Sequence, residues 1–177
     1  CHPTIVQVYD VGEHDGRPYI VTELVRGEPL HTLLQREGPL GPAPVAQLGA
    51  DLANGLDCAH QAGVVHRDLK PGNVLVEATG RARLIDFGIA QGPGDARTTS
   101  TGFVMGTPGY IAPDLLDGGD PAEHTDWWSW AALLAFAATG RSPFGVRPTE
   151  LVLRRSREGR ADLVGLPSRT ARALAGA

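Results

Sequence analysis

The residues best equipped for chemistry are His66-Arg67-Asp68-Leu69-Lys70-Pro71-Gly72-Asn73, followed thirteen positions on by Asp86-Phe87-Gly88. This order sets a carboxylate, an ammonium, an amide and a second carboxylate within a short stretch. Phosphoryl transfer from ATP can use all four. A carboxylate can orient or deprotonate a hydroxyl, and a lysine can neutralise charge on the moving group. An amide oxygen paired with a carboxylate suits a hard cation such as Mg²⁺. Lys70 is the only lysine among the 177 residues; the other fifteen basic residues are arginine.

Local elements must position these groups. Val74-Leu75-Val76 and Ala82-Arg83-Leu84-Ile85 are strand-like runs around the turn-forming Glu77-Ala78-Thr79-Gly80. An antiparallel hairpin there is expected to bring Asn73 level with Asp86, so that both face one cation. A turn and hairpin using Asp and Asn only for local hydrogen bonds is the plain alternative. The full eight-residue run with Asp-Phe-Gly at this distance argues against it.

On these residues the chain resembles the catalytic region of serine/threonine protein kinases, closest to the bacterial ones. The resemblance implies an α+β, protein-kinase-like fold: a mostly helical large lobe with remnant small-lobe strands. Residues 1–25 would be the small-lobe remnant and hinge, and 26–177 a large lobe incomplete at its C-terminus. Asp68 would be the catalytic base, Asn73 and Asp86 the Mg²⁺ ligands, and Lys70 the stabiliser of developing charge. Thr22 falls at the gatekeeper position. Glu23-Leu24-Val25 would be the hinge that meets adenine through backbone groups, with Leu75 contacting the nucleotide. Thr107, in Gly106-Thr107-Pro108-Gly109-Tyr110-Ile111-Ala112-Pro113-Asp114, matches the threonine that touches the catalytic aspartate. Asp126 matches a buried aspartate that holds the catalytic-loop backbone. Within the polar run 97–102, Thr99 and Thr101 are expected autophosphorylation sites, their phosphate pairing with Arg67. The implied cofactors are ATP and Mg²⁺, and the implied partners are proteins bearing Ser or Thr.

Elsewhere, residues 5–11 and 19–25 read as strands around Glu13-His14-Asp15-Gly16, and a helix starts near Leu30 after Gly27. Residues 42–61 read as a helix with Val45, Leu48, Leu52, Leu56 and Ala59 on one face and Gly63 as its stop. Cys58 and His60 read as packing residues. An apolar helix opens at Asp126-Trp127-Trp128-Ser129-Trp130-Ala131 and ends at Gly140. Further helices are expected over 148–157 and 168–175. A net charge of −4 shows no nucleic-acid footprint, and Arg154, Arg155, Arg157 and Arg160 read as a solvated helix face. Two cysteines are too few for a disulfide framework, so a cytoplasmic location is expected. No membrane segment is seen in this chain; an anchor elsewhere in the gene product is left open.

The chain departs from the kinase pattern in places. It contains no glycine-rich phosphate loop, no strand lysine for the α- and β-phosphates and no helix glutamate to pair with that lysine. Asp114 stands where the pattern has glutamate, without the arginine that would pair with it, and Ala131 where it has glycine. Beginning at Cys1, the sequence reads as an excerpt, and residues 1–177 alone are expected to phosphorylate weakly. Two other readings are a pseudokinase scaffold and a small-molecule phosphotransferase. The intact Asp68, Asn73 and Asp86 weigh against the first, and the long segment through Asp114 against the second.

Overall fold

The computed structural model describes residues 2–87 and 106–175. Its platform is a pair of helices. Helix α2 (Pro42–Gln61) starts with a proline, whose missing N–H costs nothing in a first turn. It turns Leu48, Leu52 and Leu56 inward, at 3%, 0% and 0% exposure. At its end the Gly63 N–H bonds to His60 O (2.8 Å) and the Val64 N–H to Ala59 O (2.9 Å). This is a Schellman closure with Gly63 at φ 73°. Helix α4 (Glu123–Thr139) begins three residues before the expected start, and Gly140 ends it in the left-handed region. It buries Ala131 to Ala135 and Ala137. The two helices approach closely at Gly49, where an added Cβ would lie 3.1 Å from Leu134 Cδ1, and Trp130 Nε1 donates to Gly49 O (3.1 Å).

Leu30 and Leu34 of α1 (Leu30–Glu37), together with Leu69, Val74, Leu84 and Leu133, complete this core. Burying each such leucine contributes about 1.5–3 kcal/mol. Leu69, between Asp68 and Lys70, thus shares a core with the helices that support it.

Two small antiparallel sheets stand beside the platform. One pairs β1 (Val8–His14) with β2 (Arg17–Thr22); the other has the order β3 (Gly27–Pro29), β4 (Val74–Glu77), β5 (Ala82–Leu84). The first hairpin closes in two residues, Asp15 and Gly16, both at positive φ as a type I′ turn requires. The strands therefore run closer to the turn than the expected 5–11 and 19–25. Their outer ends are committed elsewhere: Val6 N–H bonds to Leu84 O (2.9 Å), and Leu84 N–H to Thr4 O (2.8 Å). Strand β3 was not anticipated. It rests on Gly27, where a Cβ would sit 2.7 Å from Val76 O. The β4–β5 hairpin forms where expected and is tied to α2 by buried Asp51. Its Oδ2 accepts from Ala82 N–H and Arg81 Nε, both at 3.0 Å.

Past residue 106 lie α3 (Pro113–Leu116), α5 (Thr149–Arg157) and α6 (Ser168–Ala175). A second core of Ala132, Phe144 and Val152 joins α4 to α5. Ser129 Oγ donates to Tyr110 O (2.7 Å), and Ser156 Oγ to Ile111 O (3.0 Å), fixing the approach to α3. Among the described residues no helix is long and apolar enough to cross a membrane.

Candidate active site

The site is built on Asp126. Its carboxylate, 1% exposed, accepts from His66 N–H (2.7 Å) and His60 Nε2–H (2.8 Å) at Oδ2, and from Arg67 N–H (2.9 Å) at Oδ1. Two of these donors are backbone groups of the loop. A buried charge from α4 therefore sets the course of residues 66–67. Arg67 itself has φ 72°. A non-glycine residue held there costs about 1–3 kcal/mol and persists only where its surroundings enforce it. The bond to Asp126 supplies that enforcement.

His66 supports the loop from the other side. Its ring is fully buried, packs 4.6 Å from Phe87 and donates from Nε2 to Ile85 O (3.1 Å). Nδ1 is buried without a partner. That fits a neutral ring carrying its proton on Nε2. Burial lowers the His66 pKa below its ordinary value, outweighing the opposing pull of Asp126.

The loop then presents Asp68. Lys70 Nζ donates to its Oδ2 (2.5 Å) and Thr107 Oγ1 to its Oδ1 (3.4 Å). Asn73 Nδ2 donates to Asp68 O (2.8 Å) and lies 3.4 Å from Oδ2. Asp68 and Lys70 keep about a third of their side chains exposed. Asp68, Lys70, Asn73 and Thr107 thus meet around one carboxylate.

The hairpin does not set Asn73 level with Asp86 as expected. Strand pairing sets Val74 opposite Leu84, and Ile85 N–H bonds to Asn73 O (3.0 Å), so Asn73 lies opposite Ile85 rather than Asp86. In a regular strand that offset would send the Asp86 side chain to the other face. Asp86 instead has φ 55°, which breaks the alternation. The donor chemistry of Asn73 and Asp86 is hard oxygen. Among the described residues no cluster of three or more His, Cys, Asp and Glu gathers. A cation bound through few protein oxygens, with phosphates and water completing its shell, is compatible with both facts.

The stretch 22–25 leaves the β1–β2 ribbon. Glu23 N–H bonds back to Gln7 O (2.9 Å), Thr22 Oγ1 donates to Glu23 O (3.2 Å), and Val25 O accepts from Gly27 N–H (3.1 Å). Leu75 sits on β4 between Pro29 and Arg83. Arg67 is exposed beside the loop. Thr99 and Thr101 lie outside the described residues.

Three contacts escaped sequence reasoning. Asp114 does have a partner: His124 Nε2 lies 2.8 Å from its Oδ2. His60 packs as expected but also holds Asp126. Arg83 bridges Glu23 and Glu77; the available signal was a charge inside the apolar run Leu84-Ile85 and its strand partners.

Comparison with known proteins agrees with this geometry. The family described as protein kinase domain matches residues 1–164. Serine/threonine-protein kinase PknA of Mycobacterium tuberculosis is 43% identical over 148 residues, 81% of this chain and 34% of that protein. PknK of the same species is 40% identical over 153 residues, covering 86% of the chain and 14% of the relative. PknB of Mycobacterium leprae is 36% identical over 163 residues, covering 89% and 26%. The chain spans about a third or less of the length of these relatives. With a family match over most of its length, and the Asp68 loop held by the buried Asp126 carboxylate, this chain belongs to the protein kinase family.

Proposed function

We propose that the protein containing this chain is a serine/threonine protein kinase that transfers the γ-phosphoryl group of ATP to serine and threonine hydroxyls of proteins. The observation that carries this reading is the Asp68 carboxylate, shared between Lys70 and Thr107 and set on a loop whose backbone is tethered by Asp126. In this reading Asp68 orients the attacking hydroxyl and takes its proton. The hydroxyl oxygen bonds to the γ-phosphorus as the bond to the bridging oxygen breaks, leaving ADP. Lys70 offsets charge on the transferred group. Asn73 and Asp86 would hold Mg²⁺, which supplies charge neutralisation between the phosphates. Thr22, Glu23, Val25 and Leu75 would meet the base. The serine/threonine assignment is supported by Lys70 and Thr107 and by the names of the relatives. Thr99 and Thr101 are proposed autophosphorylation positions with Arg67 as the phosphate's partner, and a cytoplasmic supply of ATP fits the absence of a disulfide framework. The test is incubation of the full-length gene product with γ-labelled ATP, Mg²⁺ and a mixed protein substrate, followed by phosphoamino-acid analysis. Label on phosphoserine and phosphothreonine supports the reading; label confined to small molecules would replace it with the phosphotransferase alternative.

A further inference from the structure

The two pieces proposed to meet the base belong to separate sheets. Residues 22–25 extend from the β1–β2 ribbon, whereas Leu75 belongs to β3–β4–β5. Arg83 on β5 spans them. Its Nη1 donates to Glu23 Oε1 (2.7 Å) and its Nε to Glu77 Oε1 (2.7 Å). Glu23 Oε1 also accepts from Gln7 N–H (3.0 Å), and Glu23 N–H returns a bond to Gln7 O. Register sets Arg83 directly opposite Leu75, on the same face of the hairpin. Each of the three charged side chains is about a quarter exposed.

We propose that Arg83 is a positioning residue for nucleotide-base recognition: it locks Glu23, and with it the 22–25 backbone, onto the hairpin that carries Leu75, Asn73 and Asp86. This inference rests on the kinase reading above. A single guanidinium with its donors in a rigid fork suits the task, because it can bond two carboxylates at once. Without it, Glu23 and Glu77 would face each other uncompensated and push the 22–25 stretch away from Leu75. An ordinary surface ion pair would contribute little to stability and nothing to affinity. The two roles therefore separate in experiment.

The experiment measures binding of Mg-ATP, and separately of adenosine, to the full-length gene product, its Arg83→Leu and Arg83→Lys variants, and Arg157→Leu as a control ion-pair loss away from the site. Adenosine reports the base without the phosphates. We expect Arg83→Leu to weaken both ligands by a similar factor of about three- to thirtyfold, the range of coupling through a positioning contact. KM for ATP should rise with kcat kept within about twofold, the pattern of lost ground-state binding. Arg83→Lys, able to satisfy one carboxylate at a time, should fall between; if Arg83→Leu does not fold, this variant carries the test. Arg157→Leu should bind like wild type. Unchanged adenosine affinity in the Arg83 variants, or a loss for Mg-ATP alone, would overturn the inference while leaving the kinase reading standing. Failure of the wild-type protein to bind Mg-ATP would overturn both.

Discussion

Replacing Asp126 with alanine removes three hydrogen bonds to one buried charge, from His60, His66 and Arg67. Bonds to a charged acceptor are worth about 1.5–3 kcal/mol each. Their plain sum overstates the loss, because water can enter the space left and rehydrate some donors. Breaking a buried charged node measures about 3–5 kcal/mol, and we expect a loss in that range. For a chain of this size it corresponds to a fall in Tm of about 6–20 °C. Asp126→Asn should lose somewhat less, since its amide oxygen can still accept while its NH₂ confronts a donor. Function should suffer more than stability. Freed of its tether, Arg67 can leave φ 72° and carry Asp68 with it, and a misplacement of about 1 Å can cost about 10²-fold in rate. Urea unfolding of both variants gives the stability change, and kcat at a temperature where each remains folded gives the positional effect. A stability loss under about 1 kcal/mol, the size of an average substitution, would refute the reasoning that this carboxylate organises the loop.

Other outcomes follow from the same geometry. Asp86→Asn should abolish turnover and weaken Mg-nucleotide binding; unchanged activity would remove Asp86 from the metal site. Gly55→Ala should destabilise, because a Cβ there lies 2.8 Å from Thr4 Oγ1 and 2.9 Å from Leu84 Cδ1. Overpacking costs about 1–3 kcal/mol against a helix-propensity gain of about 1 kcal/mol, so a more stable variant in urea unfolding would contradict the packing described. His66 also predicts a pH dependence. Burial lowers its pKa in the folded state, so below its ordinary value of 6.5 the unfolded chain binds a proton that the folded one does not. Stability should therefore fall as pH is lowered from about 6.5 toward the folded-state pKa, by up to about 1.4 kcal/mol per pH unit. His66→Phe should flatten that slope, and identical slopes in the two proteins would count against a neutral buried ring.

Elements punctuated by local signals were legible before the structure. Pro42 and Gly63 mark α2 to the residue, and the helices over 149–157 and 168–175 fall within one residue of their expected bounds. Where the outcome depended on distant pairing, the sequence was less explicit. The β1–β2 strands slid toward their turn because Thr4 to Val6 are claimed by Leu84, almost eighty residues on. Strand β3 has no β pattern in Gly27-Glu28-Pro29 and exists because β4 offers it an edge. In the site, Asp68, Lys70 and Asn73 were readable from spacing because they share one loop. Asp126 and Thr107 came from family resemblance, since nothing local ties residue 126 to residue 66. The one-residue offset between Asn73 and Asp86 could not be read, because it depends on the hairpin register, which sets Val74 opposite Leu84. Arg83 showed only as a charge beside the apolar Leu84-Ile85; its bridge to Glu23, 60 residues away, could not be read locally.

The central claim is that Asp68 performs base chemistry on a protein hydroxyl. Its most direct test compares wild type with Asp68→Asn in the full-length gene product, measuring kcat for phosphorylation of a protein substrate alongside the Kd for Mg-ATP. A positioned base contributes about 10²–10⁴ in rate, so kcat should fall by at least a hundredfold while the Kd changes little. Retention of more than about a tenth of wild-type kcat, well outside that range, would assign the proton transfer to another residue and contradict the account.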